Sequence, residues 1–80
     1  MKIRLLFFAV LRDIVGKSEA DVEVAEGTRA ADLWEQLRAK HRQLAAYAQP
    51  MTAVNESYVR PDEVLREGDE VAFIPPVAGG

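Results

Sequence analysis

Residues 2–9, Lys-Ile-Arg-Leu-Leu-Phe-Phe-Ala, constrain the fold more than any other stretch. Read with a period of two, Ile3, Leu5, Phe7 and Ala9 share one face of a strand. Lys2, Arg4, Leu6 and Phe8 share the other. The first face is wholly apolar and should look into the core. The second starts charged and turns apolar at Leu6 and Phe8. A strand apolar on both faces belongs in the middle of a sheet. A chain of 80 residues has little material for a second layer. Leu6 and Phe8 must therefore be covered by a local loop or by another protein.

The rest of the chain supplies the partners of that strand. Leu11 to Ser18, with Asp13, Gly16 and Ser18, reads as a connection with one helical turn. Glu19 to Ala25 alternates Ala20, Val22 and Val24 with Glu19, Asp21 and Glu23, the pattern of a half-buried strand with an acidic outer face. Glu26-Gly27 is a turn. Thr28 is suited to cap a helix, and Asp32 suits the positive end of the helix dipole. Ala30, Leu33, Trp34, Leu37 and His41 recur at helical spacing, so Arg29 to Lys40 is predicted to be an amphipathic helix. Leu44 to Tyr47 is predicted to add a short second helix that stops before Pro50. Met51 to Asn55 and Ser57 to Val59 are short strands around an Asn55-Glu56 turn. Val64-Leu65 is an apolar anchor. Glu67-Gly68-Asp69 turns into a last strand, Glu70 to Ile74, with Val71 and Phe73 on one face and Glu70, Ala72 and Ile74 on the other.

The order is strand, strand, helix, strand, short strand, strand. With the first and last strands side by side and parallel, the helix lies across one face of the sheet. This is an α+β chain of the β-grasp, or ubiquitin-like, type: a mixed sheet of four to five strands with one main helix. Residues 1–74 are read as the β-grasp domain and residues 75–80 as a flexible tail.

Size and composition narrow the function. One small domain has no room for a deep enclosed active site, which favours a binding or carrier role over a self-contained enzyme. The chain has no Cys, which excludes disulfides, thiolate metal sites and a Cys nucleophile. Ten Lys and Arg are interleaved with thirteen acids at a net charge of −3, so a nucleic-acid partner is not expected. The apolar N-terminal stretch carries Lys2 and Arg4 and is too short to cross a bilayer. The expected location is the cytoplasm, with no membrane partner.

The tail is Pro75-Pro76-Val77-Ala78-Gly79-Gly80. The two prolines cannot donate to a ladder and favour an extended path. Six residues can reach roughly 20 Å when extended, enough to thread a narrow channel in another protein. The missing Cβ of Gly79 and Gly80 lets neighbouring backbone approach closely. A terminal carboxylate is a poor electrophile until it is joined to AMP as a mixed anhydride. A sulfur nucleophile can then displace AMP and leave a thiocarboxylate. Taken alone, a terminal diglycine is as ordinary as any frayed chain end. Prolines before it and a β-grasp pattern upstream raise its weight.

At this point the residues resemble a known family. Phe7-Phe8-Ala9-Val10-Leu11-Arg12-Asp13 with Val15-Gly16, Ala53-Val54-Asn55, Leu65, and Gly68-Asp69-Glu70-Val71-Ala72-Phe73 resemble the small subunits of molybdopterin synthase (MoaD), in the ThiS/MoaD sulfur-carrier family. The tail is the most specific match, and His41 to Pro50 the least family-like part. The resemblance implies that Gly80, with Gly79 beside it, is adenylated by an E1-like adenylyltransferase of the MoeB type. That enzyme uses ATP, and this chain is expected to bind no cofactor. A sulfur-relay protein then supplies sulfur, ultimately from cysteine, to make the thiocarboxylate. The loaded tail would insert into the large synthase subunit (MoaE) and pass sulfur to cyclic pyranopterin monophosphate. The family's synthase is a heterotetramer with the catalytic side chains on the large subunit.

Strand parity puts Phe8 and Ile74 on the face away from the helix. With Tyr58 they are expected to form an apolar docking patch for both partners, continued by Pro75, Pro76, Val77 and Ala78 in the tail. A covering loop is the competing reading. His41, the only His, is a poor metal or catalytic candidate at a helix end. Trp34 is expected in the core, and Glu19, Asp21 and Glu23 on a solvated face. No phosphate-binding glycine loop is present. Competing functions are a sulfur carrier for thiamin thiazole synthesis, a ubiquitin-like modifier conjugated through Gly80, and an interaction module with an inert tail.

Overall fold

The computed structural model describes residues 1–47 and 50–75. They form strand β1 (Lys2–Phe7), helix α1 (Ala9–Val15), β2 (Glu19–Glu23), helix α2 (Ala30–Lys40), a 3₁₀ helix (Arg42–Ala46), β3 (Met51–Val54), β4 (Ser57–Val59) and β5 (Glu70–Ile74). One sheet runs in the order β2-β1-β5-β3-β4. β1 lies antiparallel to β2 and parallel to β5, and β3 is antiparallel to both β5 and β4. The first and last strands lie side by side inside the sheet, β1 being central as its alternation predicted, and the fold is the β-grasp.

Ile3, Leu5 and Phe7 of β1 and Val71 and Phe73 of β5 are buried on one side of the sheet, facing Leu33, Trp34 and Leu37 of α2. Trp34 and Phe73 meet ring to ring, with centroids 5.2 Å apart at 58°, within the range that favours tilted aromatic pairs. Leu11, Leu44 and Leu65 close the rim of this core. Trp34 is thus wholly internal, at 1% exposure.

Five local expectations are corrected. β1 ends at Phe7, and Ala9 does not lie on its core face but is exposed. Ala9 adopts a positive φ of 51°, which turns the chain out of the sheet. The next element is a helix of seven residues rather than a single turn in a connection. Val10, Leu11, Ile14 and Val15 pack on the core at helical spacing, and Gly16 ends the helix at φ 88°, its N–H donating to Arg12 O at 2.8 Å. That spacing was the available signal; Asp13 and Gly16 masked it.

Thr28 does not cap α2. Its hydroxyl donates to Ala25 O across the Glu26-Gly27 turn at 2.6 Å. The cap residue is Arg29, whose N–H donates to the Asp32 carboxylate at 2.9 Å. The next two N–H groups are taken by a distant loop: Ala30 donates to Glu63 O and Ala31 to Pro61 O, each at 2.9 Å. A helix start satisfied by a crossing backbone has no local sequence signature. The short helix near residue 44 is a 3₁₀ turn placed two residues earlier, at Arg42–Ala46. Asn55 lies in the turn, not in β3, and both Asn55 and Glu56 have positive φ, 50° and 71°.

Candidate functional site

Strand parity and register lay out the face of the sheet away from α2. Across β1, β5, β3 and β4, Leu6 pairs with Ala72, Ala72 with Ala53, and Ala53 with Tyr58. The next row toward the end of β5 sets Met51 beside Ile74. Phe8, just past β1, has extended backbone (φ −119°, ψ 152°) and continues this face. The opposite half of the same face is charged: Lys2 is paired with Glu23, and Arg4 with both Asp21 and Glu70. One face thus divides into an ionic half and an apolar half. The apolar half lies where β5 leaves the sheet toward the tail.

Phe8, Tyr58 and Ile74 come together around a single shallow depression of about 310 Å³, floored by Leu6, Ala53 and Ala72. Glu56 and Glu70 stand at its rim. No described element covers it: Phe8 is 46% exposed, Met51 57% and Tyr58 67%. Large apolar side chains grouped and exposed on a small domain are uncommon on a surface that meets only water. Ala53 and Ala72 matter by being small, since they leave the hollow that the larger side chains surround. Sequence reading named the rim and placed Leu6, and separately Glu70 and Ala72 with Ile74, on outward faces, but it missed Ala53, Met51 and Glu56. Parity along β3 and β5 would have found them once the strand pairing was known.

Pro75 is half-buried at the exit from the sheet. Pro76, Val77, Ala78, Gly79 and Gly80 lie outside the described residues. His41 is the C-terminal cap of α2, its N–H donating to Leu37 O at 3.1 Å, and it stands apart from the depression. Among the described residues no group of His, Cys, Asp or Glu is arranged to hold a metal ion. No helix among them is long and apolar enough to cross a membrane.

A five-stranded mixed sheet around a parallel first-and-last strand pair, with its long helix on one side and an apolar hollow that no described element covers on the other, defines a β-grasp protein. The ThiS family pattern matches residues 5–80, and the chain belongs to the ThiS family. The Chlamydomonas reinhardtii molybdopterin synthase sulfur carrier subunit is 41% identical over 83 residues, covering 100% of both chains. A solved Pyrococcus furiosus structure, itself a candidate molybdopterin converting factor subunit 1, superposes with a TM-score of 0.85 at 32% identity, covering 96% of this chain and 99% of that one. SAMP1 from Haloferax volcanii has the same fold at a TM-score of 0.84 and 25% identity, over 100% of both chains.

Proposed function

We propose that this chain is the sulfur carrier of a molybdopterin synthase and is not an enzyme on its own. The observation that carries the reading is the full-length match to a molybdopterin synthase sulfur carrier subunit, within a family match that runs to Gly80. In this reading the Gly80 carboxylate attacks the α-phosphorus of ATP on an E1-like adenylyltransferase and releases pyrophosphate. A sulfur nucleophile delivered by a relay protein then displaces AMP. The resulting thiocarboxylate enters the large synthase subunit, where the catalytic side chains reside, and gives its sulfur to cyclic pyranopterin monophosphate. The assembled synthase is a heterotetramer in the cytoplasm.

The division of labour follows from the chemistry of this chain. It has no Cys, so sulfur cannot ride on a side-chain thiol, and in this reading it is carried as an acyl derivative of the Gly80 carboxylate. Gly79 and Gly80 leave the acyl carbon open on all sides. The depression around Phe8, Tyr58 and Ile74 sits at the root of the tail and docks both the activating enzyme and the synthase partner. Pro75 to Ala78 span from that root to the reacting carbon.

A second reading, conjugation of Gly80 to lysines as a ubiquitin-like modifier, is favoured by the likeness to SAMP1, whose name is small archaeal modifier protein 1. One experiment separates the two. Mass spectrometry of the chain isolated from cells should find the terminal oxygen replaced by sulfur. Isopeptide-linked products with no thiocarboxylate would favour the modifier instead. Removing Gly80, or capping it as an amide, should leave the fold intact and abolish sulfur transfer; retained transfer excludes the carrier reading.

A further inference from the structure

We infer that the free edge of β2, with the groove beside it, is a second docking site that accepts an extended peptide segment of a partner protein in which Lys or Arg alternates with aliphatic residues. This inference does not rest on the sulfur-carrier reading. The sheet has two edges, β2 and β4. β4 has three residues and runs into Arg60-Pro61. β2 has five residues, no Pro and no bulge in its register with β1. The bonds from Val24 N to Met1 O and from Phe7 N to Ser18 O, each 2.8 Å, set the phase of the β1–β2 ladder. In an antiparallel pair that phase turns the backbone of Ala20 and Val22 toward β1 and the N–H and C=O groups of Glu19, Asp21 and Glu23 outward. An outward row of this kind is what an added strand needs.

The side chains specify the guest. Next to the edge, between β2 and α2, lies a groove of about 260 Å³ with Leu5, Val22, Leu33 and Leu37 in its wall, Asp21 and Glu23 along its β2 border, and Gln36 and Lys40 along α2. A strand added to β2 would send alternate side chains into this groove, where aliphatic groups fit. Its remaining side chains would stand beside Glu19, Asp21 and Glu23 on the other face, where opposite charges are favoured across strands. β1 already satisfies that rule from the inner side, with Lys2 opposite Glu23 and Arg4 opposite Asp21. The contact from Arg4 Nε to Asp21 Oδ1 is long, 3.4 Å, and the side chains of Asp21 and Glu23 are 56% and 75% exposed. Both carboxylates therefore have room for a second cation. A second copy of this chain pairing through β2 would set carboxylate against carboxylate, so the guest is a different, basic segment. β2 and β4 are opposite edges of the sheet, which leaves the Tyr58 depression free while this edge is occupied.

The test is amide hydrogen exchange on the full chain, read residue by residue by NMR, titrated with the peptide Lys-Val-Lys-Val-Lys and with Glu-Val-Glu-Val-Glu. The lysine peptide should slow exchange saturably at the Glu19, Asp21 and Glu23 amides, and the glutamate peptide should not. The double variant Glu19→Lys, Glu23→Lys should bind the lysine peptide about tenfold more weakly and admit the glutamate peptide. Both sites are exposed, and the amide spectrum reports whether the variant is folded; the two peptides on the unaltered chain decide the matter without it. Three results would overturn the inference: no slowing at those amides, equal slowing by both peptides, or slowing that grows with protein concentration in the absence of peptide.

Discussion

Among the described residues, three other than glycine hold positive φ, namely Ala9, Asn55 and Glu56. For an L-residue that conformation costs about 1 kcal/mol, and Asn tolerates it best. Asn55 is also held from both ends of its amide: Nδ2 donates to Asp69 Oδ1 at 2.9 Å and Oδ1 accepts from Glu70 N at 3.0 Å. Glu56 has no such compensation among the described contacts. Replacing Glu56 by Gly should therefore stabilise the protein by about 0.5–1 kcal/mol in urea denaturation. A loss of stability would mean that the Glu56 side chain contributes more at the rim of the depression than its strain costs. Trp34 presents a different problem, since its indole Nε1 is buried with no hydrogen-bond partner among the described residues. An unmade bond of that kind costs about 1–3 kcal/mol. Trp34→Phe removes the orphan donor while shrinking the ring, and should cost clearly less than the roughly 3–5 kcal/mol of a Trp→Ala change. Equal costs for the two variants would show that the indole N–H is satisfied.

At the scale of elements, α2 depends on its first turn. The Asp32 carboxylate accepts from Arg29 N, and Asp32→Ala should lower stability by about 1 kcal/mol. Thr28→Ala should act on the Glu26-Gly27 turn through the lost bond to Ala25 O and leave α2 helicity unchanged by circular dichroism. The sheet's uncovered half makes the opposite prediction. Phe8 is nearly half exposed and contributes little to the core, so Phe8→Asp should change the unfolding midpoint only slightly. In a pull-down with the large synthase subunit the same variant should lose assembly. Undiminished assembly would remove the depression from the proposed docking role. The helix α1 illustrates a limit of pattern reading. Seven residues with Leu11 buried and three half-buried apolar neighbours carry a helical period, yet Asp13 and Gly16 within and beside them also fit a loop.

For the molecule as a whole, a domain of this length has a net stability of roughly 4–12 kcal/mol. Phe73 is fully buried on β5 and packs at a tilt against Trp34. Phe73→Ala at roughly 3–5 kcal/mol consumes much of that margin and should lower the thermal midpoint by about 15 °C or more. A midpoint within a few degrees of the parent would place the core's weight elsewhere. The same size argument explains the open apolar hollow. With one long helix to spend, the chain covers one face of its sheet. The other face stays charged where Lys2, Arg4 and Glu70 lie and apolar where Leu6, Phe8 and Ile74 lie.

Period-two and period-3.6 alternation belong to the chain itself, because side-chain direction is local geometry. From them the sequence alone determined the order of strands and helices along the chain, the buried faces of β1 and α2, and the parity that sends Phe8 and Ile74 away from the helix. It also carried the family resemblance later found over residues 5–80. Only the tertiary structure decided that Ala53 and Ala72 form the floor between Phe8 and Tyr58. Likewise, only the fold set the loop carbonyls of Pro61 and Glu63 over the start of α2 and left β2 as the longer free edge. Each of these depends on which strands become neighbours. That choice is set by burying the most apolar surface across distant parts of the chain, and no window of local sequence contains it.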